Sequence, residues 1–204
     1  MKKPKFLNEK IVSSIVSKTG KTRKIKNLRI ISFYQLYKLL DKKEIDLIKN
    51  FLKLNPRKYG FRGKFLGIKK IPSNLVTIKD QFLPKLAYLA YQKMNKALKK
   101  ETGKKLLIAS GYRSPAYQAI VFLRCLKENK FDFLKTAKGV AFPGYSEHGN
   151  PVNHAIDFCP ENFEKTEEYK WLIQNANKYG FYLSYPEGNG DGVMFEPWHW
   201  RFSG

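Results

Sequence analysis

The chain has only three histidines, His148, His154 and His199, and all three fall among unusual clusters of polar residues. Near the C-terminus, Glu196-Pro-Trp-His199-Trp-Arg201 places a carboxylate three residues before an imidazole. Pro197 prevents regular ladder pairing between them, so Glu196 is expected on the turn entering a strand. Within that strand His199 and Arg201 would share one face, with Trp198 and Trp200 on the other, packed into the core. A catalytic zinc needs three protein ligands drawn from His and carboxylates, and an open position for a water whose pKa then falls towards neutrality. A neighbouring Glu that is not a ligand can take the water's proton. The remaining ligands must come from elsewhere, and Ser146-Glu-His148 followed by His154-Ala-Ile-Asp157 is the obvious supplier of one His and one Asp. An isolated His is more often a satisfied structural residue than a ligand. Here the surroundings of all three favour chemistry.

The elements that must position these residues are helices mixed with short strands. Asp41-Lys-Lys-Glu44 reads as a capping box opening a short amphipathic helix with Ile45, Ile48, Phe51 and Leu52 on one face, stopped at Asn55-Pro56. Residues 57 to 78 alternate glycines with single apolar residues, which suits turns and short extended pieces. Leu83, Leu86, Ala90, Met94, Ala97 and Leu98 describe a helical stripe that ends near Gly103. Leu106 to Ser110 reads as a buried strand, and Ser114-Pro115 as the cap and first residue of a helix reaching Leu126. Residues 131 to 152 read as loop. His154 to Phe158 is a further strand, Thr166 caps a helix that finishes near Gly180, and strands follow at Phe181 to Tyr185 and Trp198 to Phe202. Without a repeating βαβ rhythm, this order indicates an α+β fold with a small mixed or antiparallel sheet flanked by helices.

Charge is unevenly distributed. Lys and Arg number 39 against 17 Asp and Glu, a net +22, and residues 1 to 70 hold 21 basic and 4 acidic side chains of these. Residues 1 to 31, with their densest positive run at Lys21, Arg23, Lys24, Lys26 and Arg29, read as a loosely structured arm. The expected division is therefore a basic N-terminal extension, 1 to 70, containing one short helix, and a zinc-site domain, 71 to 204. Such an arm would be drawn to an anionic polymer by attraction that salt weakens, although lysines solvating exposed helix faces give the same composition. Cys125 and Cys159 have no CxxC or Cys/His cluster, which excludes a cysteine zinc finger and leaves either one disulfide or two buried thiols. The stretch after Met1-Lys2-Lys3 is too short and polar for a signal peptide, and no apolar run approaches membrane-spanning length.

Three separated segments, in order, carry a resemblance: Ser110-Gly-Tyr-Arg-Ser114 with Gln118, then Pro143-Gly-Tyr-Ser-Glu-His148 with Ala155-Ile-Asp157, then Glu196-Pro-Trp-His-Trp-Arg201. Together they resemble the VanY-type zinc D-alanyl-D-alanine carboxypeptidases, among the LAS-type peptidoglycan peptidases, from about Pro72 to the C-terminus. The resemblance implies that His148, Asp157 and His199 bind Zn2+ and that Glu196 is the general base. It implies that Arg113 holds the substrate's carboxylate or developing oxyanion, which suits a guanidinium's forked donors. It makes Gln118, Ser146 and Tyr112 further candidates for orienting the peptide, although capping and packing would explain all three. One departure stands out. The family usually has six residues between the ligand His and Asp, whereas eight separate His148 from Asp157 here, and Asn153 stands where the family has Gly. Either the loop bulges and His148 reaches the metal, or His154 replaces it as ligand, or the metal is lost altogether; in an extended segment, His154 and Asp157 would point to opposite faces.

The reaction this implies is release of D-alanine from a peptidoglycan stem peptide, at a D-Ala-D-Ala bond first and the L,D bond of a tetrapeptide stem second. The cell wall or periplasm follows as the location from the substrate alone. A reading from another class is an inactive module that binds wall polymer or nucleic acid through the basic arm. Nucleic acid is disfavoured, because no zinc finger, RRM signature or helix-turn-helix pattern accompanies the charge.

Overall fold

The protein is described by a computed structural model covering residues 3–22, 25, 27–68, 70–159 and 162–204. In chain order its elements are α1 (Glu9–Lys21), α2 (Phe33–Tyr37), α3 (Lys42–Leu52), β1 (Leu75–Ile78), β2 (Gln81–Pro84), α4 (Lys85–Thr102), β3 (Leu107–Ser110), α5 (Pro115–Glu128), α6 (Phe133–Gly139), β4 (Ala155–Cys159), α7 (Glu167–Asn175), β5 (Phe181–Leu183) and β6 (His199–Phe202), with short 3-10 turns between them. They form two compact units, one of residues 1–71, 114–146 and 190–194, the other of 72–113, 147–189 and 195–204.

The first unit is helical. Asn8 caps α1 by accepting from the backbone N–H groups of Lys10 and Ile11, and Val12, Ile15 and Thr19 are its buried face. Val12 and Ile15 share a core with Leu47, Ile48 and Phe51 of α3 and with Ala119, Phe122 and Leu123 of α5. The arm expected over residues 1 to 31 is thus a capped, packed helix over much of its length. Arg23, Lys24 and Lys26 of its basic run lie outside the described residues. Residues 1 to 71 do not stand apart as an extension either, because α5 and α6 complete their core. Both capping-box bonds between Asp41 and Glu44 are present at the start of α3. The stretch expected to be loop contains α6, started by Asp132 accepting from Lys135 N, and Phe133 and Ala137 are buried.

The second unit carries a four-stranded antiparallel sheet in the order β3-β4-β6-β5 and a separate β1-β2 hairpin, which makes the fold α+β. Ile156 and Phe158 of β4 and Trp200 and Phe202 of β6 join Met94 and Leu98 of α4 and Leu172 of α7 in one core. Alternation sends Asp157, His199 and Arg201 to the opposite face. Three expected apolar faces are corrected. Leu86 is 68% exposed, since the face α4 buries runs through Ala87, Met94 and Leu98 instead. β3 is an edge strand, with Leu107 58% exposed, rather than a buried one; Leu106, just before it, is the buried residue. Trp198 precedes β6 and is 38% exposed, so only Trp200 of the tryptophan pair enters the core. Both cysteines are half-buried, and no disulfide is present among the described residues. No described helix is long and apolar enough to cross a membrane.

Candidate metal centre

Antiparallel register builds the centre of the site. In the β4–β6 pair Asp157 lies directly opposite His199, and Ala155 opposite Arg201, so the Asp157 and His199 side chains emerge side by side. His199 Nδ1 is 2.8 Å from Asp157 Oδ1. A bulge in the β3–β4 pairing then brings Ser110 opposite Asp157, and the chain leaves β3 through Gly111. A Cβ on Gly111 would lie 2.3 Å from the Phe82 carbonyl oxygen, so only glycine lets the backbone pass β2 this closely. Tyr112 N donates to that same oxygen at 2.6 Å.

The third residue arrives on a 3-10 turn, Glu147–Gly149. Two bonds fasten this turn to the segment after β3: His148 Nδ1 to Gly111 O at 2.9 Å and Arg113 N to His148 O at 3.1 Å. A carbonyl only accepts, so Nδ1 carries the proton and His148 Nε2 presents a lone pair. Burial, reinforced by the Arg113 charge, pushes His148 down to about 4, so the ring is neutral at pH 7. His148 Nε2 lies 3.1 Å from Asp157 Oδ2, yet it has no hydrogen-bond partner among the described residues. A lone pair held against a carboxylate oxygen in a buried site is an arrangement that a cation relieves.

His148, Asp157 and His199 offer ligand atoms that all lie within 4.8 Å of one another. Tetrahedral bonds of ~2.1 Å separate ligands by about 3.4 Å, so two imidazoles and a carboxylate at this spacing suit zinc with one position left open. His154 is not one of the three. It precedes β4 and is fully buried, its ring 6.1 Å from Tyr112 and 6.2 Å from His148.

Charges around the group are strongly coupled. Burial opposes ionisation of Asp157, but in acid, where His148 is charged as well as His199, the two imidazoles outweigh burial and hold the carboxyl well below its usual range. Burial likewise opposes a charge on His199, yet its hydrogen bonds to Asp157 and Glu147 raise it to about 10. Glu196 behaves differently. It sits in the turn entering β6, its N–H donating to Tyr185 O at 3.1 Å and its carbonyl accepting from His199 N at 3.1 Å. Its Oε2 is 3.7 Å from His199 Nδ1, and burial lifts its carboxyl to about 7, aided by Asp157 and Glu147 against the pull of His199 and Arg113. A carboxylate with this affinity for a proton, beside three potential ligands, is suited to proton transfer at neutral pH. Arg113 completes the cluster, its Nη2 3.8 Å from Asp157 Oδ2.

The remaining candidates are placed less suggestively. Tyr112 is fully buried, and burial lifts its hydroxyl to about 12. Gln118 and Ser146 are buried residues of the first unit, where the Gln118 amide donates to Ala141 O at 2.7 Å. Sequence reasoning passed over Glu147 and Ser184, which bond to each other at 2.5 Å, and over Tyr185, whose ring packs 5.0 Å from His199. Adjacency to His148 was a signal for Glu147; nothing in the sequence pointed to Ser184.

The sequence profile of the VanY D-alanyl-D-alanine carboxypeptidases matches residues 80–204, more than half of the chain and every residue of the candidate metal centre. The chain belongs to the VanY family. Among curated relatives, a Bacillus subtilis (strain 168) protein, YodJ, named provisionally as a carboxypeptidase, is 33% identical over 176 residues, covering 76% of this chain and 61% of that protein. A D-alanyl-D-alanine carboxypeptidase of Enterococcus faecium is 34% identical over 100 residues, covering 48% of this chain and 30% of the relative. The chain thus spans less than two thirds of either relative's length. Among solved structures, the LdcB LD-carboxypeptidase superposes with a TM-score of 0.60 at 31% identity, covering 74% of this chain and 78% of that one. VanYB in complex with D-alanine-D-alanine gives 0.55 at 27% identity over 66% and 81% of the two chains. A mutant of the vancomycin-resistance D,D-pentapeptidase VanY in complex with Zn(II) gives 0.54 at 27% identity over 66% and 83%.

Proposed function

We propose that this protein is a zinc-dependent carboxypeptidase that removes the terminal D-alanine from peptidoglycan stem peptides, acting at a D-Ala-D-Ala bond or at the L,D bond of a tetrapeptide stem. The observation that carries this reading is the convergence of His148, Asp157 and His199 beside a Glu196 whose carboxyl is raised to about 7. Zinc held there would supply Lewis acidity to the scissile carbonyl and acidify a water. Glu196 would take the proton of the attacking water and return it to the departing D-alanine amine, a shuttle that needs a pKa near the working pH. Arg113, with forked donors beside Asp157, would bind the substrate's terminal carboxylate or the oxyanion developing on the attacked carbonyl. The neutral His148 and the ionised Asp157 would enter metal binding already in the required protonation states.

The substrate class rests on family membership and on solved neighbours, one seen with D-alanine-D-alanine and another named an LD-carboxypeptidase. A substrate of this class would put the protein's work at the cell wall or in the periplasm. An anionic wall polymer is proposed as a second partner. By sequence count the first unit holds 26 basic and 7 acidic side chains, the second 13 and 10, so the excess charge resides in the first. A module that only binds polymer has no use for a proton-accepting carboxylate beside three ligands.

The test is mass-spectrometric product analysis with synthetic pentapeptide and tetrapeptide stems and zinc-loaded protein. Loss of one D-alanine from the pentapeptide supports D,D-cleavage, and loss from the tetrapeptide supports L,D-cleavage. With both peptides and intact peptidoglycan untouched despite bound zinc, the binding-module reading replaces this one.

A further inference from the structure

Three groups converge on the outer edge of the metal centre without belonging to it. Glu147 Oε2 lies 3.1 Å from His199 Nε2 and 2.5 Å from Ser184 Oγ, while Oε1 lies 3.4 Å from Arg201 Nη1. Ser184 is itself tied to His199, its N–H donating to the His199 carbonyl at 3.3 Å. Arg201, two residues along β6 from His199, is on the same strand face. One carboxylate therefore accepts from an imidazole, a hydroxyl and a guanidinium at once.

We propose that Glu147 is a positioning residue of this site: it holds the His199 imidazole with Nδ1 turned towards Asp157, while Ser184 and Arg201 hold Glu147. A carboxylate has no proton to give at neutral pH, so its bond to Nε2 keeps the proton on that nitrogen, and the proton a metal would displace is the one Nδ1 shares with Asp157. That single bond fixes both the tautomer and the ring orientation. Metal-ligating imidazoles depend on such partners to their second nitrogen. Gly111 O does the corresponding work for His148, from the opposite nitrogen. Glu147 and His148 are adjacent in one 3-10 turn, so the turn carries one candidate ligand together with the residue that orients another. Ser184 has the stronger hold, because the Arg201 side chain is 40% exposed and its contact with Glu147 is long.

The inference rests on the zinc reading above, and its test is read in metal affinity rather than turnover. Zinc dissociation constants are measured by competition with a chromogenic chelator for the unaltered protein, Glu147→Ala, Glu147→Gln and Ser184→Ala. NMR of the zinc-loaded proteins follows the His199 Nε2–H proton. Glu147→Ala is expected to weaken zinc binding about 10- to 100-fold and to lose the exchange-protected Nε2–H resonance. Glu147→Gln keeps an acceptor oxygen, so it should retain the resonance and most of the affinity, and Ser184→Ala should fall between the two. Should Glu147→Ala not fold, Glu147→Gln and Ser184→Ala still decide the question. Unaltered zinc affinity in Glu147→Ala or in Ser184→Ala overturns the proposal, as does a Glu147→Gln protein that binds zinc far more weakly than Ser184→Ala. Failure of the unaltered protein to bind zinc overturns the zinc reading itself, a result separable from any selective effect of the variants.

Discussion

Gly111→Ala perturbs the narrowest passage in the second unit. The new methyl would sit 2.3 Å from Phe82 O and 3.0 Å from Leu83 Cδ2, and the closer atom is backbone that no rotamer change moves aside. Relief to an ordinary contact requires the two segments to separate by about 1 Å, which stretches two hydrogen bonds. These are Tyr112 N to Phe82 O at 2.6 Å and Gly111 N to Gln81 Oε1 at 3.1 Å. Each bond contributes about 1 kcal/mol, and a buried group left unsatisfied costs about 1–3 kcal/mol. Alanine recovers about 0.4–1 kcal/mol by restricting the unfolded chain. The net expectation is about 2–4 kcal/mol of lost stability, read by urea denaturation of the metal-free protein. Because Gly111 O also accepts from His148 Nδ1, zinc affinity should fall about tenfold in the same variant. A stability within about 0.5 kcal/mol of the unaltered protein, with unchanged zinc affinity, would refute the reasoning.

Ser114→Ala removes both the acceptor for Tyr117 N and the donor to Ile31 O, and should cost about 1–2 kcal/mol in the same denaturation assay. Tyr112→Phe removes a buried hydroxyl that has no hydrogen-bond partner among the described residues, so stability should hold or rise by up to about 1 kcal/mol with kcat/KM unchanged. A tenfold fall in kcat/KM at equal stability would instead give that hydroxyl a contact with substrate. His148→Ala should abolish stoichiometric zinc binding, measured by elemental analysis of the dialysed protein, whereas His154→Ala should retain about one zinc per chain. The opposite pattern would make His154 the ligand.

The parts of this molecule legible in the sequence are those where a local rule has one solution. Ser114-Pro115 opens α5 and the Asp41/Glu44 box opens α3, because caps depend on residues three apart in the chain. Alternation in Ala155–Cys159 and His199–Phe202 likewise set which side chains face the site. α1 was hidden by its own composition: Ile11, Val12, Ile15 and Val16 have helical spacing, but the interspersed Ser and Lys read as an arm until α5 supplies the surface they pack on. α6 is seven residues long and was masked by the Gly- and Pro-bearing stretch after it. At the candidate metal centre the opposition of Asp157 and His199 is a matter of strand register, and the contacts of Glu147 with Ser184 and Arg201 join segments 37 and 54 residues apart. Spacing along one chain does not carry such contacts.

Glu196→Gln tests the proposed chemistry most directly, since the amide keeps the shape of the side chain and cannot take a proton. D-alanine release from the preferred stem peptide is measured for both proteins alongside zinc content. If Glu196 is the general base, release should fall about 10²- to 10⁴-fold while zinc stays near one per chain. A Glu196→Gln protein that releases D-alanine at the unaltered rate would contradict that role.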